Sequence, residues 1–450
     1  MSLNLHRQRG AVAIMVAVSM LVLLAVVGLC VDAGLAYLVK ARLNAAVDSA
    51  ALAGGRAVTN GNNQTEQIAS ARAAAADFFA ANIPSNYLLS SPRITSTTVT
   101  FNGGQATIDV KAEAPMPVSI MQIMNFTSLM PVAAAQTVRN DLDMALVVDT
   151  SGSLKNSAAT VQASAKSFLN KFNVTQDRVA LIHFASGVET DNAFNLLTRG
   201  FNRTSMNTKI SAYQFQGGTS SFEGMYEARK QLNTIPLASR STMRVVVFFS
   251  DGAPTSFGSY LTFLKESDCK SAGSVDRLLE YSGMGELNSS KLDYVSELCK
   301  TWRYDRYGDA IPAVRRLPDW YNARPESVRE FPIVTTYPRQ VTADVSTEIP
   351  YERNILRASR NLAESVADKT RSEGVYVFTL GFGPGLKETV ASDTTTNGEM
   401  ILKCMANTTD AIPRCQKPDQ PVGMYCYAAT DADLTPCFSR LASAILRITK

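Results

Sequence analysis

Five oxygen-bearing side chains fall where strands should end. Asp149, Ser151 and Ser153 sit in Asp149-Thr150-Ser151-Gly152-Ser153, Thr219 in Gly217-Gly218-Thr219-Ser220, and Asp251 in Ser250-Asp251-Gly252. Two carboxylates and three hydroxyls, with no thiolate or imidazole, form a hard donor set. The ion it implies is Mg²⁺, with Mn²⁺ or Ca²⁺ as alternatives. A dication held mostly by neutral hydroxyls stays electrophilic, and an open octahedral position could accept an Asp or Glu from a partner. The bland alternatives are an ion that only stiffens the loops, or a Ser-rich turn that merely caps the next helix.

Catalysis is not expected. The chain has two histidines, His6 and His183, so a Ser-His-Asp triad, an HExxH zinc site and multi-histidine centres are excluded. His183 lies inside an apolar strand, where a satisfied core histidine is the expectation. Lys+Arg 44 against Asp+Glu 40 leaves a net charge of +4 in 450 residues, without blocks of like charge. No basic face for nucleic acid follows from that balance.

The elements that must position these residues read as α/β. Met144–Val148, Val179–Phe184, Arg244–Ser250 and Val375–Leu380 are short apolar runs, as parallel strands covered on both faces should be. Helical spacing between them (Val161, Ala165, Phe168, Leu169 and Phe172) predicts a doubly wound, mainly parallel sheet. Such sheets bind ligands outside the carboxyl ends of their strands, at a topological switch point. Asp149 and Asp251 sit at two of those ends.

This constellation resembles the von Willebrand factor A domain and its metal-ion-dependent adhesion site. The pattern Asp-x-Ser-x-Ser, then Thr, then Asp is met by Asp149, Ser151, Ser153, Thr219 and Asp251, with Gly381-Phe382-Gly383 and a closing helix at 434–448 in support. The resemblance covers residues 140–450. It implies direct ligation by the three hydroxyls, and by the aspartates directly or through water. Two Cys-containing insertions depart from a minimal domain. One, about 256–351, holds Trp302, Trp320, eight tyrosines, Cys269 and Cys299. It leaves directly after Asp251 and should therefore emerge at the metal-bearing face, shaping or covering it. A bridge between Cys269 and Cys299 would close it. The second, about 386–423, contains Cys404 and Cys415, which belong to a group ending at Cys437.

Upstream, residues 11–31 are uncharged over roughly 31 Å of helix, enough for a single-pass transmembrane anchor. The helix should continue as a stalk over 32–55, stopped by Gly54-Gly55. Residues 58–139 read as a small α+β spacer, with an Ala-rich helix over 64–82 and a hairpin turning at Asn102-Gly103. His6, Arg7 and Arg9 before the span place the N-terminus in the cytoplasm. Cys30 lies in the span. The six remaining cysteines (269, 299, 404, 415, 426 and 437) lack a CxxC pair and suit disulfides in an oxidising compartment, with the pairing open. The stretch from Arg9-Gly10 through Val31-Asp32-Ala33-Gly34 to Leu43–Ala53 resembles TadE/TadG-like proteins of the tight-adherence (Flp) pilus system. Prepilin-like members carry a Glu where this chain has Met15. The resemblance implies a bacterial inner-membrane protein with its bulk periplasmic or extracellular. Its partners would be pilus-assembly components, and its role assembly or anchoring of the pilus. A structural pilus subunit and a surface adhesin are the other readings.

Overall fold

The computed structural model describes residues 9–58, 64–102, 105–241, 243–264, 269, 271–278, 284–289, 299–327 and 329–448. They form two compact units that divide between Arg139 and Asn140.

In the first unit, one continuous helix, α1 (Arg9–Ala57), carries both the apolar stretch and the stalk. It packs with α2 (Gln64–Asn82) and with a sheet of β1 (Arg93–Asn102), β2 (Gln105–Glu113) and β5 (Val132–Asn140). Strands β3 (Met116–Pro117) and β4 (Ser128–Leu129) form a small pair between them. Alternation decides which face is buried. Ala106, Ile108, Val110, Ala112 and Ala114 all point into a core shared with Val39, Leu43, Ala46, Val47 and Ala50 of α1. Gly103 of the expected turn lies outside the described residues.

Gly54-Gly55 does not stop the helix, which runs on to Ala57. These glycines serve close packing. A Cβ at Gly54 would stand 3.1 Å from Ile108 Cγ2, and one at Gly55 2.6 Å from Thr137 Cγ2.

The second unit is built on a six-stranded sheet. Its members are β6 (Leu142–Asp149), β7 (Arg178–Phe184), β8 (Val188–Asn192), β9 (Met243–Ser250), β16 (Tyr376–Phe382) and β17 (Tyr425–Ala428), in the order β17-β16-β9-β6-β7-β8. All neighbours are parallel except β7 and β8. Both faces of the central strands are covered, which is why they read as unbroken apolar runs. Met144, Leu146 and Val148 face a layer that includes α3 (Ala158–Leu169), α4 (Arg203–Ser211) and α8 (Asp431–Ile448), whereas Ala145 and Val147 face α5 (Ser221–Thr234), α6 (Glu348–Ser372) and α7 (Gly398–Ala406). Helix α6 begins at Glu348.

The first insertion adds three small antiparallel pairs: β10 (Ser256–Ser259) with β12 (Gly273–Asp276), β11 (Thr262–Phe263) with β15 (Val314–Arg316), and β13 (Trp302–Tyr304) with β14 (Ala310–Pro312). Its Tyr321, Phe331, Ile333 and Val341 are buried in the core beneath α5 and α6. A buried carboxylate clamps it in place. Glu223 on α5 accepts from Tyr321 Oη (2.8 Å) and Gly258 N (3.1 Å), and pairs with Arg324 Nε (3.1 Å). Three disulfides close local loops, Cys269–Cys299, Cys404–Cys415 and Cys426–Cys437.

Candidate metal centre

Strand β6 starts the chain's passage through the sheet, and its neighbours β7 and β9 lie on opposite sides of it. The carboxyl ends of β6 and β9 therefore flank a switch point. Asp149 ends β6 and is fully buried. Its Oδ1 accepts from Ser151 N (2.8 Å) and its Oδ2 from Ser250 Oγ (2.6 Å). The chain then turns into a 3-10 helix, Gly152–Ser157, which presents Ser153 toward β9. Ser153 Oγ donates to Asp251 Oδ1 (3.0 Å) and lies 3.2 Å from Ser151 Oγ. These contacts join Asp149, Ser151, Ser153 and Asp251 in one network.

Thr219 arrives on the third loop. Gly217, with φ 82°, takes the left-handed turn that leads into it. Gly152 N donates to Gly217 O (3.1 Å) and Gln216 N to Thr150 O (2.9 Å), which ties this loop to the first. Ser151, Ser153, Thr219 and Asp251 line one cleft of about 570 Å³, with Asp149 buried behind Ser151.

Electrostatics fit a dication. Burial, then the Asp251 charge, pushes Asp149 up to about 7, against the lowering effect of hydrogen bonds from Ser151 and Ser250. Burial pushes Asp251 up to about 6 despite the bond from Ser153. Among the described residues neither carboxylate has a Lys or Arg ion-pair partner. Two acids held together without a counter-charge, beside neutral hydroxyls, are a donor set that a hard cation would complete.

Both insertions wall the cleft: Asp276, Arg277 and Leu278 from the first, Glu388, Thr389 and Val390 from the second. Arg277 is held by Glu352 (2.5 Å). Asp276 accepts from Leu278 N (2.9 Å) and from Thr255 Oγ1 (3.0 Å), and that same hydroxyl accepts from Thr219 N (3.1 Å). Asp276 and Thr255 thus hold the Thr219 loop. Nothing in the sequence pointed to them. Ser250, by contrast, was visible beside Asp251, and its role as donor to Asp149 is a product of folding.

His183 stands apart from the cleft. It is buried on β7, its Nδ1 2.8 Å from Asp191 Oδ2 and its ring 4.4 Å from that of Tyr213. Tyr213 Oη donates to the same Asp191 oxygen (2.7 Å).

A sheet of this order, with ligand-bearing loops at its switch point and helices on both faces, defines an α/β binding domain. The family model of the von Willebrand factor type A domain matches residues 143–273, and that of the Flp pilus-assembly TadE/G-like segment matches residues 10–57. The chain thus carries a von Willebrand A domain behind a TadE/G-like segment. No curated protein matches it in sequence. Among solved structures it is similar to the pilus adhesin SpaC from Lactobacillus rhamnosus GG, at 15% identity over 80% of this chain and TM-score 0.36. The chain spans 34% of SpaC's length. It is similar also to the vWF domain of the type V pili tip protein Mfa5 from Porphyromonas gingivalis (17% identity, 70% of this chain, 98% of that one, TM-score 0.37). A third is the PilB minor pilin from Streptococcus sanguinis (13% identity, 80% of each chain, TM-score 0.37).

Proposed function

We propose that the protein is a membrane-anchored envelope component that binds a protein partner through a Mg²⁺-dependent site, in assembly or anchoring of a tight-adherence pilus. One observation carries the reading: Ser151, Ser153, Thr219 and Asp251 converge on a single cleft, backed by Asp149. These five residues would hold the ion, with Mn²⁺ or Ca²⁺ able to replace Mg²⁺. When bound, the ion supplies an electrophilic position for a partner's Asp or Glu carboxylate. Asp149 and Asp251 bring the charge, and the three hydroxyls leave much of it unneutralised. Binding rather than catalysis is favoured because, among the described residues, no histidine lines the cleft to act as a base.

The TadE/G-like match over 10–57 supports the pilus context. Helix α1 is long and apolar enough over its first half to cross a membrane once. Three disulfides favour an oxidising compartment for the second unit, hence a cytoplasmic N-terminus and an inner-membrane anchor in a bacterium. His6 and Arg7, on which the charge argument for that orientation rests, lie outside the described residues.

The test is thermal unfolding of the full chain in detergent, stripped of metal and titrated with Mg²⁺, Mn²⁺ and Ca²⁺, beside Asp251→Ala. A saturable rise in the wild type that the variant lacks supports the site. A folded, stripped protein that responds to no ion refutes it, and leaves a structural pilus subunit as the better reading.

A further inference from the structure

The end of the apolar stretch of α1 is not bare. Asp32, the first charged residue after it, is buried, and accepts from three consecutive backbone N–H groups, Ser119 (3.1 Å), Ile120 (3.0 Å) and Met121 (2.9 Å). One turn earlier, Gly28 lies against Ile120, so closely that a Cβ there would overlap the Ile120 side chain. The segment around 120 therefore packs on the last turn of the apolar stretch itself, not on the stalk beyond it. With Asp32 satisfied internally, the sequence presents no further charge until Lys40 and Arg42, both exposed. Residues 11–39 then cover about 43 Å of helix, the thickness of a bilayer with its headgroup layers. Residues 32–39 occupy the interfacial layer, where Tyr37, 75% exposed, would be at home.

The spacer shows an apolar surface at this level. Phe126 is 48% exposed and its N–H bonds to the carbonyl of Met121, whose own N–H donates to Asp32. Met130 and Val132 follow at 59% and 51%, just after β4, which pairs with β3 two residues ahead of Ser119. Exposed apolar groups beside a water-facing stalk would be a liability, but beside the acyl boundary they are anchors.

We propose that the segment 118–132 dips into the membrane interface beside α1, seating the first unit on the lipid surface through Ile120, Phe126, Met130 and Val132. The proposal rests on reading 11–31 as a membrane span. Its occupant is the bilayer that holds α1, because the patch is continuous with the apolar stretch through the Gly28–Ile120 contact. The anchor would then be a helix plus a lateral foot, which fixes the tilt of the stalk.

Depth-dependent quenching tests it in the full chain. With Cys30→Ser to remove the free thiol, a polarity-sensitive probe is attached at Phe126→Cys. Control probes sit at Leu23→Cys inside the span and Leu197→Cys, which is 95% exposed on the second unit. Each protein is reconstituted into phosphatidylcholine–phosphatidylglycerol vesicles with acyl-chain bromines. The expected result is a blue-shifted 126 probe that loses roughly half its emission to brominated lipid at every protein-to-lipid ratio, as the Leu23 probe does. A 126 probe as unquenched as that at Leu197, with Leu23 quenched, would overturn the proposal and leave the span intact. Unquenched Leu23 would overturn the span and the proposal together. A blue-shifted but unquenched 126 probe that turns water-like on lipid dilution would assign the patch to a second copy and also refute it.

Discussion

Metal-free protein should lose stability as pH rises from 5 to 8. Asp149 is held near 7 and Asp251 near 6 by burial, and in Asp149 also by the neighbouring charge. An unfolded Asp titrates at about 3.9. A carboxyl whose folded value lies above its unfolded one binds its proton more tightly in the native state. The resulting stability is complete below the unfolded value and is lost as pH climbs through the folded value, here about 6 to 7. Between pH 5 and 8, Asp149 accounts for roughly two pH units of linkage and Asp251 for roughly one, at about 1.4 kcal/mol per unit. Their sum is about 4 kcal/mol, and the mutual repulsion enters it once, through Asp149.

Asp251→Asn removes one charge and keeps the shape. Without metal at pH 8 it should stabilise the protein by about 1–2 kcal/mol and flatten the pH dependence. Excess Mg²⁺ should invert the order, since a hundredfold excess over Kd adds about 2.7 kcal/mol to the wild type and little to the variant. Urea unfolding of the full chain in detergent, followed by tryptophan fluorescence, reports this cleanly, because Trp302 and Trp320 both lie in the second unit. Metal-free stability that is flat or rising between pH 5 and 8, or an Asn variant less stable than wild type without metal, would refute the reasoning.

Ser250→Ala should cost about 1–2 kcal/mol and weaken the Mg²⁺-induced shift in melting temperature, because Asp149 loses its 2.6 Å donor. Asp276→Ala should leave the protein folded but weaken Mg²⁺ binding about 10–100-fold in a metal titration, since Thr255 would no longer hold the Thr219 loop. Glu223→Ala should destabilise by about 3–5 kcal/mol in urea, as it strands Arg324 in a buried site. Replacing Cys269 and Cys299 together by Ala should lower stability by about 3–4 kcal/mol and speed proteolysis within the insertion, by freeing a loop of 30 residues.

The central strands were legible because apolar runs buried on both faces have no competing explanation at that length. The antiparallel edge strand β8, Val188-Glu189-Thr190-Asp191-Asn192, was not. Only Val188 is buried, and an edge strand with polar side chains looks like a loop. Likewise β17 hides in an excursion, recognisable only once its partner β16 is placed. Gly54-Gly55 misled for a physical reason: glycine marks helix ends, but it also admits close neighbours, and a sequence does not tell which neighbour is coming. That Asp149, Ser151, Ser153, Thr219 and Asp251 come together was readable because each is local to a strand end or a Gly turn. Asp276 was not, since its place depends on how the insertion folds back.

That fold-back makes the first insertion part of the site. The insertions leave after β9 and β16, and those strands lie side by side next to β6 in the sheet. Segments leaving neighbouring carboxyl ends can only rise around the same crevice, so the walls of the cleft follow from topology. At Gly218 a Cβ would stand 2.5 Å from Asp276 Oδ2. Any larger residue at 218 would push the insertion away from Thr219, and any withdrawal of the insertion would leave the Thr219 loop without its Thr255–Asp276 support. Asp276 is the last residue of β12, which pairs with β10 and lies within the loop closed by Cys269 and Cys299. The disulfide constrains β12, β12 places Asp276, and Asp276 through Thr255 positions the candidate ligand Thr219. The disulfide, the insertion and the candidate metal site are thus linked by covalent and hydrogen bonds of this chain, and a partner docking on the cleft walls would press on the same Thr219 loop.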